Sequence, residues 1–289
     1  MHYIECPLSA RFSPLVAGAW IFEKTKGDKG LDLSYAWPEV GGSLVFTLGD
    51  SVHASCGRAL PRIALAAGIR SPVALKLPPG TSLVGIRFRS GGMRAFLGVS
   101  PAEVGGIDAF GGAWARELFD RLSLLVNGAD ADADGVVSLL DSALSASPYR
   151  RETWLSSARA ELKFACSPAQ MGIPSLACEQ CCSLRSLQRT WPEASGYCPS
   201  QYRAVLRCEL ARFALFLRYP RDLSALALDL GFFDLPHFCR TFKRWTCHTP
   251  EAFCRLVEPY RSRFACWGSV LQPVCRSFIE GTCPYRMSG

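Results

Sequence analysis

Between Leu187 and Phe253 the 289-residue chain repeats itself at an offset of 51 residues. Leu187, Gln188, Arg189, Thr190 and Trp191, followed by Pro199 and Tyr202, return as Phe238, Cys239, Arg240, Thr241 and Phe242, followed by Pro250 and Phe253. In both copies large apolar residues recur at a spacing of four, which places them on one face of a helix and leaves Arg189 and Arg240 off that face. A unit written twice implies two similar substructures with similar exposed surfaces, and therefore a partner that itself repeats.

The charge distribution indicates what kind of partner. Residues 1–149 carry 13 Lys/Arg and 14 Asp/Glu, residues 150–263 carry 17 and 10, and the remainder carries 2 and 1, so the basic excess of the chain sits with the repeat. A basic segment joined to a neutral one is the electrostatic footprint of a nucleic-acid module attached to a domain with another task. Duplex DNA fits a doubled unit because its major groove returns to the same face every ~34 Å. At this length the chain accommodates two domains, each with its own core.

The punctuation of the basic half lays out its helices. Pro174 and Ser175 start a short helix predicted to run through Cys181. Ser183 then offers an N-cap to a helix over Arg185 to Trp191, which Pro192 helps to end. Leu184, Leu187 and Trp191 share the inward face of that helix, and Arg185, Gln188 and Arg189 reach outward. Gly196 supplies a left-handed turn, and Pro199 opens a long helix through about Leu217. In the second copy Asp222 caps a helix carrying Leu223, Leu226, Ala227 and Leu230. Gly231 turns the chain, and Asp234 caps the next helix, whose buried stripe is Phe238, Phe242 and Trp245. Arginine reads guanine through O6 and N7, and glutamine reads adenine through N6 and N7. Lys243, Arg244 and Ser183 suit phosphate contacts, which position a protein without specifying sequence.

These residues carry a family resemblance. The stretch Leu223 to Arg255, with its core GF-x-D-x-x-HF-x-R-x-FKRW, resembles the second helix-turn-helix of AraC/XylS-type transcription regulators. Ser183 to Arg207 resembles the first helix-turn-helix and its linker helix, through S-x-R-x-L-Q-R and G-x-x-P-x-x-Y. The resemblance covers residues 165–262. It implies an all-helical module with two recognition helices in successive major grooves of one DNA face. Its base-reading positions fall on Arg185, Gln188 and Arg189 in the first copy, and on Leu235, Pro236, His237 and Arg240 in the second. Leu235 and Pro236 offer no side-chain hydrogen bonds, so the second helix is expected to specify weakly, through Arg240, His237 and a thymine-methyl contact at Leu235. Cys247 and Cys181 stand where the family usually has glycine.

The first half reads as mostly antiparallel β structure. Short runs at Ser43 to Leu48, Val73 to Leu77 and Ser82 to Phe88 are broken by Gly, Pro and Asp. Helical spacing follows from Trp114 to Val126 and from Val136 to Leu144. The string GIRFRSGGMRAFLGV at Gly85 to Val99, with Leu60, Pro61 and Gly68, is similar to the β-rich amino-terminal domain that precedes AraC-type modules. Arg87, Arg89 and the Gly91–Gly92 pair could converge on an anion, although a strand ending in exposed arginines is the simpler reading.

Three further patterns are weaker. The run DADADGVVSLLD matches a calcium loop at Asp130, Asp132, Asp134, Gly135 and Asp141, but Asn127-Gly128 interrupts the entering helix and no second loop exists to pair with it, so an acidic helix-capping connection is preferred. Cys178, Cys181 and Cys182 form C-x-x-C-C without a fourth ligand at zinc spacing, and Cys275 with Cys283 supplies only half a zinc site. The fourteen cysteines fall below the ~8–10% of a disulfide scaffold, so free thiols are expected. No nucleophile elbow, phosphate-binding glycine loop or H-E-x-x-H motif appears, and an enzyme is not expected.

The expected fold is α+β in two domains. A β-rich sensor or dimerisation domain spans 1–150, a linker 151–164, a double helix-turn-helix joined by a long helix 165–262, and a cysteine-containing tail 263–289. Its partners would be double-stranded DNA, RNA polymerase if it activates, a small-molecule effector and, through the first domain, a second copy of itself. No cofactor or metal is expected. Met1 to Phe12 lacks the pattern of a signal peptide and no apolar run reaches the ~18–20 residues of a span, which points to the cytoplasm. The rival reading is a small-molecule or redox sensor that acts through protein partners after losing DNA recognition. A calcium-regulated adaptor is a third, resting on Asp130 to Asp141 alone.

Overall fold

The computed structural model describes residues 2–27, 33–126, 133–149, 172–179, 181–216 and 222–258. The first part contains β1 (His2–Cys6), a 3-10 turn (Ala10–Phe12), β2 (Val16–Glu23), β3 (Leu33–Ala36), β4 (Ser43–Thr47), β5 (His53–Ala54), β6 (Ile63–Ala67), β7 (Val73–Lys76) and β8 (Ser82–Phe88). It continues with helices α1 (Gly92–Leu97) and α2 (Pro101–Val104), strand β9 (Gly106–Ala109), and helices α3 (Ala113–Val126) and α4 (Ala133–Ser145). The expected strands and both expected helices are present. Every described strand pairing is antiparallel, in a six-stranded sheet ordered β1-β2-β8-β4-β6-β9 and a three-stranded sheet ordered β3-β7-β5.

Register decides what each face of the large sheet does. Because side chains alternate, residues paired across neighbouring strands point the same way. Ile21 pairs with Val84, Val84 with Phe46, Ile86 with Leu44, and Leu44 with Leu65. This face is buried against α1, α3 and α4 through Phe96, Leu118, Leu122, Leu140 and Leu144. The other face carries the row Glu5, Trp20, Gly85, Val45 and Ala64, with Arg87, Ser43 and Ala66 in the next row. Gly85 makes that row possible: a Cβ there would lie 2.1 Å from the Trp20 indole, so the ring lies across bare backbone.

The second part is all helical: α5 (Ile173–Glu179), α6 (Leu184–Ser195), α7 (Pro199–Phe216), α8 (Leu223–Asp229), α9 (Leu235–Thr246) and α10 (Pro250–Val257). Among the described residues, no helix is long and apolar enough to cross a membrane. Helix α7 buries residues on all sides, including Tyr202, Leu206, Leu210 and Phe213, and forms the axis around which both copies of the repeat pack. Two helix limits and one inward position differ from expectation. Helix α5 stops at Glu179. Helix α6 runs past Pro192 to Ser195: the proline removes only the bond to the Gln188 carbonyl, and Gly196 closes the last turn with its N–H on the Pro192 carbonyl at 2.8 Å. Leu184, expected inward, is 42% exposed because it precedes the part of α6 that meets α7.

The two parts meet along a polar seam at the end of α6. Gly91 N–H donates to the Ala194 carbonyl at 2.8 Å, Ser100 Oγ to the Glu193 carbonyl at 2.9 Å, and Tyr197 Oη to the Ile69 carbonyl at 2.8 Å. Gly196 approaches Gly68 so closely that a Cβ would stand 3.0 Å from the Gly68 Cα. The linker 151–164 and the tail from 263 lie outside the described residues.

Candidate nucleic-acid interface and interdomain cavity

The two recognition units are built alike. In the first, Ser183 Oγ accepts from the Ser186 N–H at 3.1 Å and starts α6; in the second, Asp234 accepts from the His237 N–H at 2.6 Å and starts α9. Leu187 and Trp191 are buried under α6, and Phe238, Phe242 and Trp245 under α9. The repeat extends to the last turns, where Ser195 Oγ donates to the Trp191 carbonyl at 2.8 Å and Thr246 Oγ1 to the Phe242 carbonyl at 2.7 Å. Pro199 and Pro250 open the following helices.

With those faces buried, the opposite faces are free for a partner. Ser183, Arg185, Gln188 and Arg189 are exposed on the first unit, and Pro236, His237, Arg240, Lys243 and Arg244 on the second. Leu235 is half-buried and packs against the core, which takes it partly away from any base. Its neighbour Phe233, which sequence reasoning passed over, is 88% exposed at the entrance to α9. The signal was available: in GFFD only one of two consecutive phenylalanines can face inward, and Phe232 takes that place.

Gly196 and Cys247 occupy equivalent positions, and both adopt the left-handed conformation, with φ of +85° and +60°. Glycine does so at no steric cost, whereas a Cβ there costs ~1–2 kcal/mol. Cys247→Gly is therefore expected to raise the unfolding free energy by about 1 kcal/mol. A denaturant midpoint that stays put or falls would mean that the thiol makes a compensating contact.

A cavity of about 290 Å³ lies between the large sheet's second face, the small sheet, and helices α7 and α10. Its walls are mostly apolar, but five charged side chains line it: Glu5, Glu39, Arg87, Glu209 and Arg212. Arg87 pairs with Glu5 at 3.2 Å and with Glu39 at 3.3 Å. Burial opposes the Arg87 charge most strongly, yet the surrounding carboxylates, led by Glu5, hold its pKa above the usual value. Glu5 also accepts from Tyr3 Oη at 2.8 Å, and Glu39 accepts from Ser43 Oγ. Arg212 lies 4.9 Å over the Trp37 ring and donates to the Pro38 carbonyl at 3.5 Å. Burial lowers its pKa. Glu209 is 8% exposed and accepts only a long 3.5 Å bond from the Val40 N–H, and burial, reinforced by Glu39, raises its pKa.

The anion site considered for Arg87, Arg89 and the glycine pair does not assemble. Arg87 is held by two carboxylates. Arg89 lies beyond the end of β8 and donates to the Ser13 carbonyl at 2.8 Å, and the Gly91 and Gly92 N–H groups bond to the Ala194 and Arg89 carbonyls. Only the later part of the acidic run lies among the described residues. Asp134 and Asp141 lie on helix α4, where a loop would need irregular backbone, and Asp141 accepts from the Ser9 N–H at 3.0 Å. Asp130 and Asp132 lie outside the described residues. Among the described residues no group of three or more His, Cys, Asp or Glu has the geometry to hold a metal, and Cys178, Cys181 and Cys182 are free thiols.

Comparison with known proteins places the helical part. No curated protein sequence matches the chain. Similar solved structures include ToxT from Vibrio cholerae, 12% identical with a TM-score of 0.47, the match covering 89% of this chain and 99% of that one. Another is ToxT of Vibrio cholerae strain SCE256 bound to an unsaturated fatty acid, 12% identical with a TM-score of 0.40, covering 88% and 92%. A transcriptional regulator of Chromobacterium violaceum, described among AraC-type DNA-binding domain-containing proteins, is 25% identical with a TM-score of 0.28 over 37% of this chain and 96% of that one. These likenesses are loose. A family model described as a helix-turn-helix domain matches residues 176–255, which hold both α6 and α9. The chain thus carries, at residues 176–255, a helix-turn-helix domain.

Proposed function

We propose that this protein is a sequence-specific DNA-binding transcription regulator that places α6 and α9 in successive major grooves and is controlled by a small molecule held in the interdomain cavity. The observation that carries the first half is the pair of capped helices with buried apolar stripes and exposed polar faces, fixed to the shared helix α7. The cavity carries the second half: its walls come from both parts of the chain, so an occupant touches the β sheets and the helices that support the recognition units at once. A ligand that fits one arrangement of the two parts better than another shifts the balance between them. In the cell such a regulator works in the cytoplasm beside its DNA. RNA polymerase is its partner if it activates, and the β-rich domain is where a second copy would pair.

The two units divide the work unequally. Arg185, Gln188 and Arg189 give the first unit three polar side chains suited to base edges. The second offers Arg240 and His237, with Phe233 rather than the half-buried Leu235 as the apolar side chain best exposed to a thymine methyl. Lys243 and Arg244 serve the phosphates, and Ser183, at the N-terminus of α6, does the same for the first unit.

The test is a set of single substitutions measured on specific and random duplexes across salt. Arg189→Ala and Arg240→Ala are each expected to weaken specific binding by ~1–3 kcal/mol while leaving random-duplex binding nearly unchanged. Lys243→Ala should weaken both and reduce the salt slope by about one. Equal losses on both duplexes for all three would remove the assignment of base readers.

A further inference from the structure

The charges around the cavity do not balance. Among the described residues that line it, the charged side chains are Glu5, Glu39, Glu209, Arg87 and Arg212, so three carboxyl groups meet two guanidiniums. They come from β1, the segment after β3, β8 and α7, brought together by strand register and by the seating of α7 on the sheets. Two of the carboxylates are well served. Glu5 takes Arg87 and the Tyr3 hydroxyl; Glu39 takes Arg87 and the Ser43 hydroxyl. Glu209 is the exception, buried to more than nine-tenths and lining the cavity with one 3.5 Å hydrogen bond from backbone. Arg87 is engaged by its two carboxylates, whereas Arg212 lies over the Trp37 face, donates one 3.5 Å bond to the Pro38 carbonyl, and with Arg87 opposes the rise in the Glu209 pKa from a distance.

An anionic ligand would add negative charge to a poorly solvated site in which carboxyl groups already outnumber guanidiniums. A cation offsets the excess of carboxyl groups and gives Glu209 a charged donor in place of one long backbone bond. The remaining walls suit the same molecule: Trp20 and Tyr35 offer aromatic surface that attracts a cation as well as apolar bulk, and Phe213, Phe216 and Val45 take an apolar body. Resting on the reading of the cavity as an effector site, we propose that its ligand is a compact apolar or aromatic amine, bound with its ammonium group against Glu209. Burial and Glu39 raise the pKa of Glu209, which fits a carboxyl that waits for a positive partner, and binding of the amine favours its ionised form.

Three ligands of one shape and different charge test this on the full chain by titration calorimetry at neutral pH: tryptamine, 3-ethylindole and indole-3-propionate. Tryptamine is expected to bind at least tenfold tighter than 3-ethylindole, with indole-3-propionate weakest. In Glu209→Gln, tryptamine should fall to the affinity of 3-ethylindole, which itself stays unchanged and so reports an intact cavity; Val45→Phe, which fills the apolar end, should weaken all three. If Glu209→Gln does not fold, as judged by circular dichroism, the order of the three ligands on the wild-type chain decides alone. Indole-3-propionate binding as tightly as tryptamine, or tryptamine unaffected in a folded Glu209→Gln, overturns the amine. Equal binding of all three leaves the effector cavity standing and removes the amine, whereas binding by none removes both.

Discussion

Replacing Trp191 by alanine is expected to cost about 3–5 kcal/mol of stability and to abolish specific DNA binding. Trp191 is 1% exposed and meets Tyr202 edge to face at 5.0 Å, so its indole ties α6 to α7. Truncation removes the largest apolar group on the inward face of the first recognition helix and leaves a void that its short neighbours, Ala194 and Ser195, are too small to fill. Helix α6 then loses the support that holds Arg185, Gln188 and Arg189 at fixed positions. A chemical denaturation series gives the stability loss, and binding to a selected duplex gives the functional one. Trp191→Phe should retain most of both. Full specific binding by Trp191→Ala would mean that α6 does not do the reading.

The second large effect is expected at Arg87. Arg87→Met should destabilise the chain by ~3–5 kcal/mol, because it strands Glu5 and Glu39 in a poorly solvated site without the charge that both use. The loss should grow with pH. Arg87 is one of the charges holding the pKa of Glu209 down, so removing it raises that pKa further. A carboxyl whose folded pKa lies above its unfolded value contributes stability that is fully present below the unfolded value and is lost as pH rises through the folded one. The variant's deficit relative to wild type is therefore smaller near pH 5 than near pH 8. A deficit that shrinks toward pH 8 would show that the carboxylates of the cluster find other donors.

The helical part was largely legible because local signals agreed with one another. Ser183, Asp222 and Asp234 were expected to cap helices, and each accepts a backbone N–H at the predicted place. The stripe of Phe238, Phe242 and Trp245 is buried as its spacing required. Pro192 misled because a proline late in a helix removes one donor but does not stop a final turn that glycine can close. Cys247 shows the reverse: the repeat itself, by setting it opposite Gly196, indicated a left-handed position, and the chain accepts the strain.

The cavity was far less legible. Its five charges are spread from Glu5 to Arg212, and strand register together with the docking of α7 makes them neighbours; neither leaves a local pattern. One signal was present. Helix α7 carries Arg203, Arg207, Glu209 and Arg212 among apolar residues that fall on all of its sides, and a largely buried helix with charges in it must place those charges against partners or a site. Arg87 and Arg89, by contrast, looked like a pair only because they are two residues apart, and the strand ends between them.

The central claim is that two units of one chain read one face of a duplex. Selection of the full chain against random duplexes, repeated at low and physiological salt, tests it most directly. A bipartite site is expected, its two halves separated by about one helical turn, with the half read by α6 better defined than the half read by α9. Binding that is lost with salt and enriches no sequence at either salt concentration would contradict it.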